Sequence, residues 1–157
     1  MISISLLIVL LVVFQLKHIF ADYFLQDSYM LGKFKEHGWF KPLLSHVIVH
    51  GTMTFVICCF ASPNLAIPAA ILDMVFHFAM DRIKASSKLL GRFKPISKQR
   101  MEEIVSMQYM FGKDNLGSNI NKEIKSNQWF WYSLGIDQAF HHLTHYIIII
   151  AILLNNS

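Results

Sequence analysis

Four stretches of the chain are apolar along most of their length: about Ile2 to Phe24, Pro42 to Phe60, Leu65 to Ile83 and Trp129 to Leu154. Each approaches the ~20 residues an α-helix needs to cross a ~30 Å hydrocarbon core. The first and last are the plainest, with an unbroken apolar run from Leu6 to Val13 and four consecutive isoleucines from Ile147 to Ile150. The second and third are interrupted by polar side chains. Residues 84–127 differ in character, holding Gly91, Pro95, Gly112 and Gly117 and most of the Lys and Arg. Within them Ser97 is placed to cap a helix that runs to Phe111 and stops at Gly112. Met101, Ile104, Val105 and Phe111 share one face of that helix, with Lys98, Arg100, Glu102 and Glu103 off it. Such a helix either lies on the membrane surface or packs on the bundle as a lid. The pattern predicts an all-α protein. It is a single transmembrane domain over residues 1–157, an integral-membrane four-helix bundle with a cytoplasmic amphipathic segment between helices three and four.

Composition agrees. Of the 157 residues, 54% are hydrophobic and 15% charged, against ~25% charged in an ordinary soluble domain, and mean hydropathy is +0.43. The first span has no positive leader, Lys17 being its first charge, and no small-residue cleavage site follows, so it reads as a retained helix. Charge also suggests an orientation. Residues 25–41 carry Lys33, Lys35 and Lys41 against Asp27 and Glu36, while residues 82–127 carry ten Lys or Arg against four Asp or Glu. With four crossings these two connections fall on one side. The positive-inside rule makes that side cytoplasmic, with both termini outside a multi-pass plasma or inner membrane. Trp39, Phe40, Trp129, Trp131 and Tyr132 suit interfacial belts, and Lys17 is expected to snorkel to the headgroups. The adjacent Cys58 and Cys59 form no CxxC pattern, which argues against a thiolate zinc site and a disulfide framework.

The polar residues inside the apolar spans are themselves patterned. His18/Asp22, His46/His50, Asp73/His77, His77/Asp81, Asp137/His141 and His141/His145 all stand four apart. Eight His and six Asp placed at random would give roughly one such pair. Residues i and i+4 share a helix face, so each span presents a stripe of imidazoles and carboxylates. On the four-crossing topology all the stripes fall in the cytoplasmic half. A lone Asp at the middle of a membrane helix costs ~2.5–3.5 kcal/mol on the insertion scale, so these must face the interior and find cations.

Neutral imidazole and carboxylate are ligands for zinc, iron or manganese, and bundles hold di-metal centres in this way. The candidate ligands are His18, Asp22, His46, His50, Asp73, His77, Asp81, Asp137, His141 and His145. Asp73 to Asp81 spans about 12 Å of helix rise, too far for one ion, so two divalent ions are expected, zinc foremost, with iron or manganese as alternatives. Lys84 is placed to pair with Asp81 or to meet an anionic substrate. His142 and His37 are not expected to be ligands, and Gln26 and Gln138 suit supporting hydrogen bonds.

The ordered motifs His18-Ile-Phe-Ala-Asp22-Tyr-Phe-Leu-Gln26, Leu44-Ser-His46 to His50, Asp73 to Lys84 and Asp137-Gln-Ala-Phe-His141 resemble a small bacterial and phage membrane family. That family is known as domain of unknown function 3307. The resemblance implies a membrane protein and no activity. The His/Asp helices are also similar, more loosely, to membrane-bound metal-dependent hydrolases. The leading expectation is therefore a membrane-embedded di-metal hydrolase. Asp81 or Asp22 would be general base, Lys84 would lie near substrate, and a lipid or lipid-linked phosphoester would reach the site from the cytoplasmic leaflet. A di-iron oxygenase or desaturase is a second expectation, and a metal or proton transporter or sensor a third. Membrane lipids are the expected partners and an oligomer is compatible. No nucleophile motif, phosphate-binding glycine loop or nucleic-acid module is present.

Overall fold

The computed structural model describes residues 3–112 and 117–157, and these are helical with no strand among them. Ile2, the expected start of the first span, and the side chain of Phe111 lie outside this description. Helix α1 spans Ile4–Ile19, α2 Phe40–Ala61, α3 Ala66–Ala85, α4 Lys98–Phe111 and α5 Ser118–Asn155. Four of these helices are long and apolar enough to cross a membrane, α4 being the exception.

Helix α1 starts at Ser3, whose side chain accepts from the Leu6 N–H at 3.3 Å. It does not end at Ile19. It opens into a π-helical turn over Phe20–Phe24, closed by the Leu25 N–H donating to the Phe20 carbonyl at 3.0 Å. A π turn adds a residue to the helical cycle and often marks a functional site. A 3₁₀ turn, Met30–Phe34, then folds back against α2. The Asp27 carboxylate accepts from the Met30 N–H at 2.8 Å, and a Cβ added to Gly32 would fall 2.9 Å from Pro42 Cγ. That close approach holds the turn against the foot of α2.

Helix α2 packs most extensively on α3, and contacts of α3 with α5, α5 with α1 and α1 with α2 close a ring of four. The bundle has two unlike ends. At one, Leu10, Phe14, Cys58, Ala66, Ala69, Ile148, Ile149, Ile152 and Leu153 form an apolar core. At the other, the interior is filled by imidazoles, carboxylates and lysines. The outward faces carry exposed Ile8, Val12, Phe55, Ile71, Val75, Phe140 and Ile147. Apolar outside and ionisable inside is the arrangement a lipid solvent demands.

The fourth span is longer than its apolar part. Helix α5 has 38 residues and starts at Ser118, about 16 Å of rise before Trp129. No Gly or Pro interrupts residues 118–128, so the helix runs past the end of the apolar stretch that the hydropathy pattern marked. Helix α4 has the predicted bounds. The Ser97 hydroxyl accepts from the Arg100 N–H, and Gly112 ends the helix at φ 80°, a left-handed conformation suited to glycine. Ile104 on its inner face is 1% exposed. The Arg100 guanidinium forks onto both carboxylate oxygens of Glu123. Helix α4 thus buries Ile104 and is tied to α5 through Arg100 and Glu123, with Val105 and Tyr109 exposed.

Candidate metal centre

The buried face of α1 reads Leu10, Phe14, Lys17, His18 and Ala21. On α2 it includes His46, His50, Thr54 and Cys58, on α3 Asp73, His77, Asp81 and Ala85, and on α5 Asp137, His141, Thr144 and His145. Helical spacing of three and four aligns each set, and the ring of helices turns all four inward at the same end.

The interior arranges itself by depth. Deepest is Asp73, fully buried. Its Oδ2 accepts from Lys17 Nζ at 2.5 Å and from the Thr54 hydroxyl at 2.6 Å. Its Oδ1 stands 3.3 Å from His77 Nδ1 and 3.6 Å from His145 Nε2. Lys17, expected at the headgroups, is instead 2% exposed and lies inside the bundle. Its position in the Leu10–Phe14–Lys17–Ala21 stripe turns it inward, where Asp73 compensates its charge.

One turn closer to the lysine-bearing connections the imidazoles crowd together. His77 lies with ring centroids 3.7 Å from His50 and 3.9 Å from His141, and His46 lies 4.7 Å from His50. Asp22, on the π turn, reaches His46 and His50 of this cluster and also His18. Its Oδ2 is 3.2 Å from His18 Nε2, and its Oδ1 is 3.1 Å from His50 Nε2 and 3.3 Å from His46 Nε2. His18 Nε2 also meets the Gln138 amide oxygen at 3.1 Å.

The outermost layer joins α3 to α5. Asp81 sets Oδ2 3.3 Å from His46 Nε2 and Oδ1 3.5 Å from His141 Nε2. His141 Nε2 is also 3.3 Å from Asp137 Oδ1. Two lysines complete the layer, and they correct the expected pairing. Lys33, from the 3₁₀ turn, donates to Asp81 at 2.6 Å, while Lys84 donates not to Asp81 but to Asp137 on α5, at 2.8 Å. Asp81 and Lys84 stand three apart on one face of α3, but Lys33 already occupies Asp81, and Lys84 reaches across to α5. A cavity of about 190 Å³ opens on this layer, lined among others by Asp22, Gln26, Lys33, Asp81, Lys84 and Asp137.

Three groups of side chains bring ligand atoms within 4.8 Å of one another: His18, His50 and His77; Asp22, His46 and His50; and Asp81, Asp137 and His141. Four ligands at ~2.1 Å from one ion stand about 3.4 Å apart along the edges of a tetrahedron. The Asp22, Asp81, Asp137 and His141 separations above, 3.1–3.5 Å, match that edge. The first two groups share His50, and the third shares no residue with either. Eight of the ten residues expected as ligands fall in these groups, while Asp73 and His145 stand behind them with Lys17 and Thr54. Buried nitrogens of His18, His46, His50, His77, His141 and His145 have no hydrogen-bond partner. Buried polar atoms are normally paired, and seven unpaired nitrogens on six adjoining imidazoles, two of them on His46, fit a metal-binding donor set.

Lys33 and Thr54 join the site without having been expected there. Thr54 continues the His46–His50 stripe by another four residues, a signal open to reading. Lys33 lies on an irregular turn and carries no periodic signal. Half-buried His142 packs its ring near His18 and Tyr146, and His37 is exposed.

Residues 7–157 match the family model described as Protein of unknown function (DUF3307), and the chain belongs to that family. No curated protein and no solved structure matches it.

Proposed function

We propose that this DUF3307 member is a membrane-embedded metal-dependent hydrolase that holds two divalent ions, one at His18, His50 and His77 and one at Asp81, Asp137 and His141. The observation that carries the reading is His77. Its Nδ1 faces the buried Asp73 carboxylate, while its Nε2 has no hydrogen-bond partner and lies in the imidazole cluster. A carboxylate on one ring nitrogen is the usual support of a metal-bound histidine, fixing its tautomer and orientation. Ions held here would supply Lewis acidity and lower the pKa of water.

The chain's own residues divide the remaining tasks. Asp22 lines the cavity, is the most exposed of the four carboxylates, and reaches His18 and His50. It is the general base in this reading, taking the proton of the attacking water. Asp81, between His46 and His141, links the two groups. Lys33 and Lys84 line the same cavity and favour an anionic substrate, in keeping with a phosphoester on a lipid or lipid-linked molecule. The basic connections support a cytoplasmic opening and termini outside; labelling of a Lys98→Cys variant at that position by an impermeant reagent applied outside intact cells would contradict it. The expected metal is zinc, with manganese or iron as alternatives.

A second reading has its own support: Asp73, Asp81 and Asp137 each already own a lysine, as a metal-free proton-relay network would require. Elemental mass spectrometry on detergent-purified protein separates the two. About two equivalents of one transition metal, lost in a His77→Ala, His141→Ala double variant, is the expected result. A metal-free but folded protein would transfer the reading to a relay. Metal-loaded protein inert toward a broad panel of lipids, phosphoesters and peptides would remove the hydrolase assignment.

A further inference from the structure

Beyond the metal centre a second cavity, of about 590 Å³, lies between the segment that follows α3 and the first turns of α5. Its size is within the range of small-molecule sites. Lys122, Lys125, Ser126 and Trp129 line one wall at i, i+3, i+4 and i+7, a single face of α5. Leu90, Arg92 and Phe93 line the other.

The walls are held in place. A Cβ on Gly91 would fall 2.7 Å from the Ala85 carbonyl oxygen and 2.8 Å from those of Lys84 and Ser86, so the turn at 90–92 is pressed onto the end of α3. The following strand of chain is strapped to α5 by Lys94 N–H donating to the Ser126 hydroxyl at 3.2 Å and Ile96 N–H donating to Asn127 Oδ1 at 2.9 Å. The Phe93 and Trp129 rings stack with centroids 5.8 Å apart, and the Arg92 guanidinium lies 4.8 Å from the Phe93 ring. Arg92, Lys122 and Lys125 are exposed, and among the described residues none of them has an ion-pair partner.

Depth identifies the occupant. Trp129 opens the apolar part of α5. Lys125 and Lys122 lie about 6 Å and about 10 Å of helix rise beyond it. The headgroup zone extends roughly 5–8 Å past the hydrocarbon on each side, and lysine stems reach several ångströms from the helix. Three cations therefore meet at phosphate level, above two stacked rings at the interfacial edge of the hydrocarbon.

We propose that this cavity binds one anionic phospholipid, its headgroup phosphate held by Arg92, Lys122 and Lys125 and its glycerol and upper acyl chain against Phe93 and Trp129. The site is separate from the metal centre and does not depend on the hydrolase reading. Juxtamembrane basic residues attract acidic lipids one by one; here the rigid aromatic floor adds a place for the lipid to settle.

The test is native mass spectrometry of the full chain released from mixed micelles containing phosphatidylglycerol and phosphatidylcholine. The expected result is one retained phosphatidylglycerol, preferred over phosphatidylcholine. A Lys122→Glu, Lys125→Glu variant should lose that preference by tenfold or more. A Lys88→Glu, Lys98→Glu variant, with the same change of charge on the same segment, should keep it. Circular dichroism and size-exclusion profiles matching the parent show that each variant is folded. Equal retention of the two lipids by the parent chain, or equal loss in both double variants, would overturn the proposal, the second outcome showing diffuse attraction in place of a site.

Discussion

A lysine ammonium inside a membrane bundle persists only with a partner, and Lys17 has two, Asp73 at 2.5 Å and His145 at 3.2 Å. Breaking such a pair from one side leaves the other charge buried alone. Lys17→Met is therefore expected to destabilise the bundle by about 3–5 kcal/mol, seen as a fall in the thermal midpoint in detergent. Adding Asp73→Asn should recover much of that loss; no recovery would mean that the lysine contributes through packing alone. Asp22 makes the opposite kind of prediction. If it takes the proton from water while the ions sit on other residues, Asp22→Asn should keep its metal content and lose about 10²–10⁴-fold in turnover. Loss of one metal equivalent would instead place Asp22 among the ligands, beside His50.

At the scale of elements, the stripes read from sequence are the inner faces of the helices. The four-residue spacing that aligns His46 with His50 aligns them in space as well. What spacing could not give was the division of labour within a stripe. Asp73 and Asp81 share a face of α3, yet two turns separate them. The deeper is taken by Lys17 and Thr54, the shallower by Lys33 and the outer imidazoles. Lys17 itself was legible, since Leu10, Phe14, Lys17 and Ala21 form one buried row; a reading that treats every terminal lysine as a snorkeller passes over it. Lys33 was not legible, because its position depends on a turn fixed by Gly32 against Pro42. A larger residue there would test that dependence. Gly32→Val should lift the turn from Pro42, withdraw Lys33 from Asp81 and raise its reactivity toward amine-acylating reagents several-fold. Unchanged labelling of Lys33, which is 7% exposed in the parent chain, would show that the turn is anchored elsewhere.

For the whole molecule, the unlike ends of the bundle divide stability between two sources. The apolar end holds itself by packing around Phe14, Ile149 and Ile152, while the ligand end concentrates charge that must be compensated. A bound ion stabilises the fold by about 2.7 kcal/mol when its free concentration is a hundred times its dissociation constant. Chelator treatment of a metal-loaded preparation should therefore lower the unfolding midpoint, and the His77→Ala, His141→Ala variant should be insensitive to chelator. Equal midpoints with and without chelator in the parent chain would favour the lysine-neutralised network.

The ion pairs also have a direction along the chain. Asp73 is served by Lys17, Asp81 by Lys33 and Asp137 by Lys84, and in every case the cation comes first. A ribosome makes each lysine before the carboxylate it will neutralise. When α3 leaves the translocon with two acids on its face, both counter-charges have already been made, and when α5 follows, so has the third. The order of synthesis thus spares α3 and α5 a period with their acids uncompensated, and a nascent chain halted after α3 already holds the partners for both of that helix's acids.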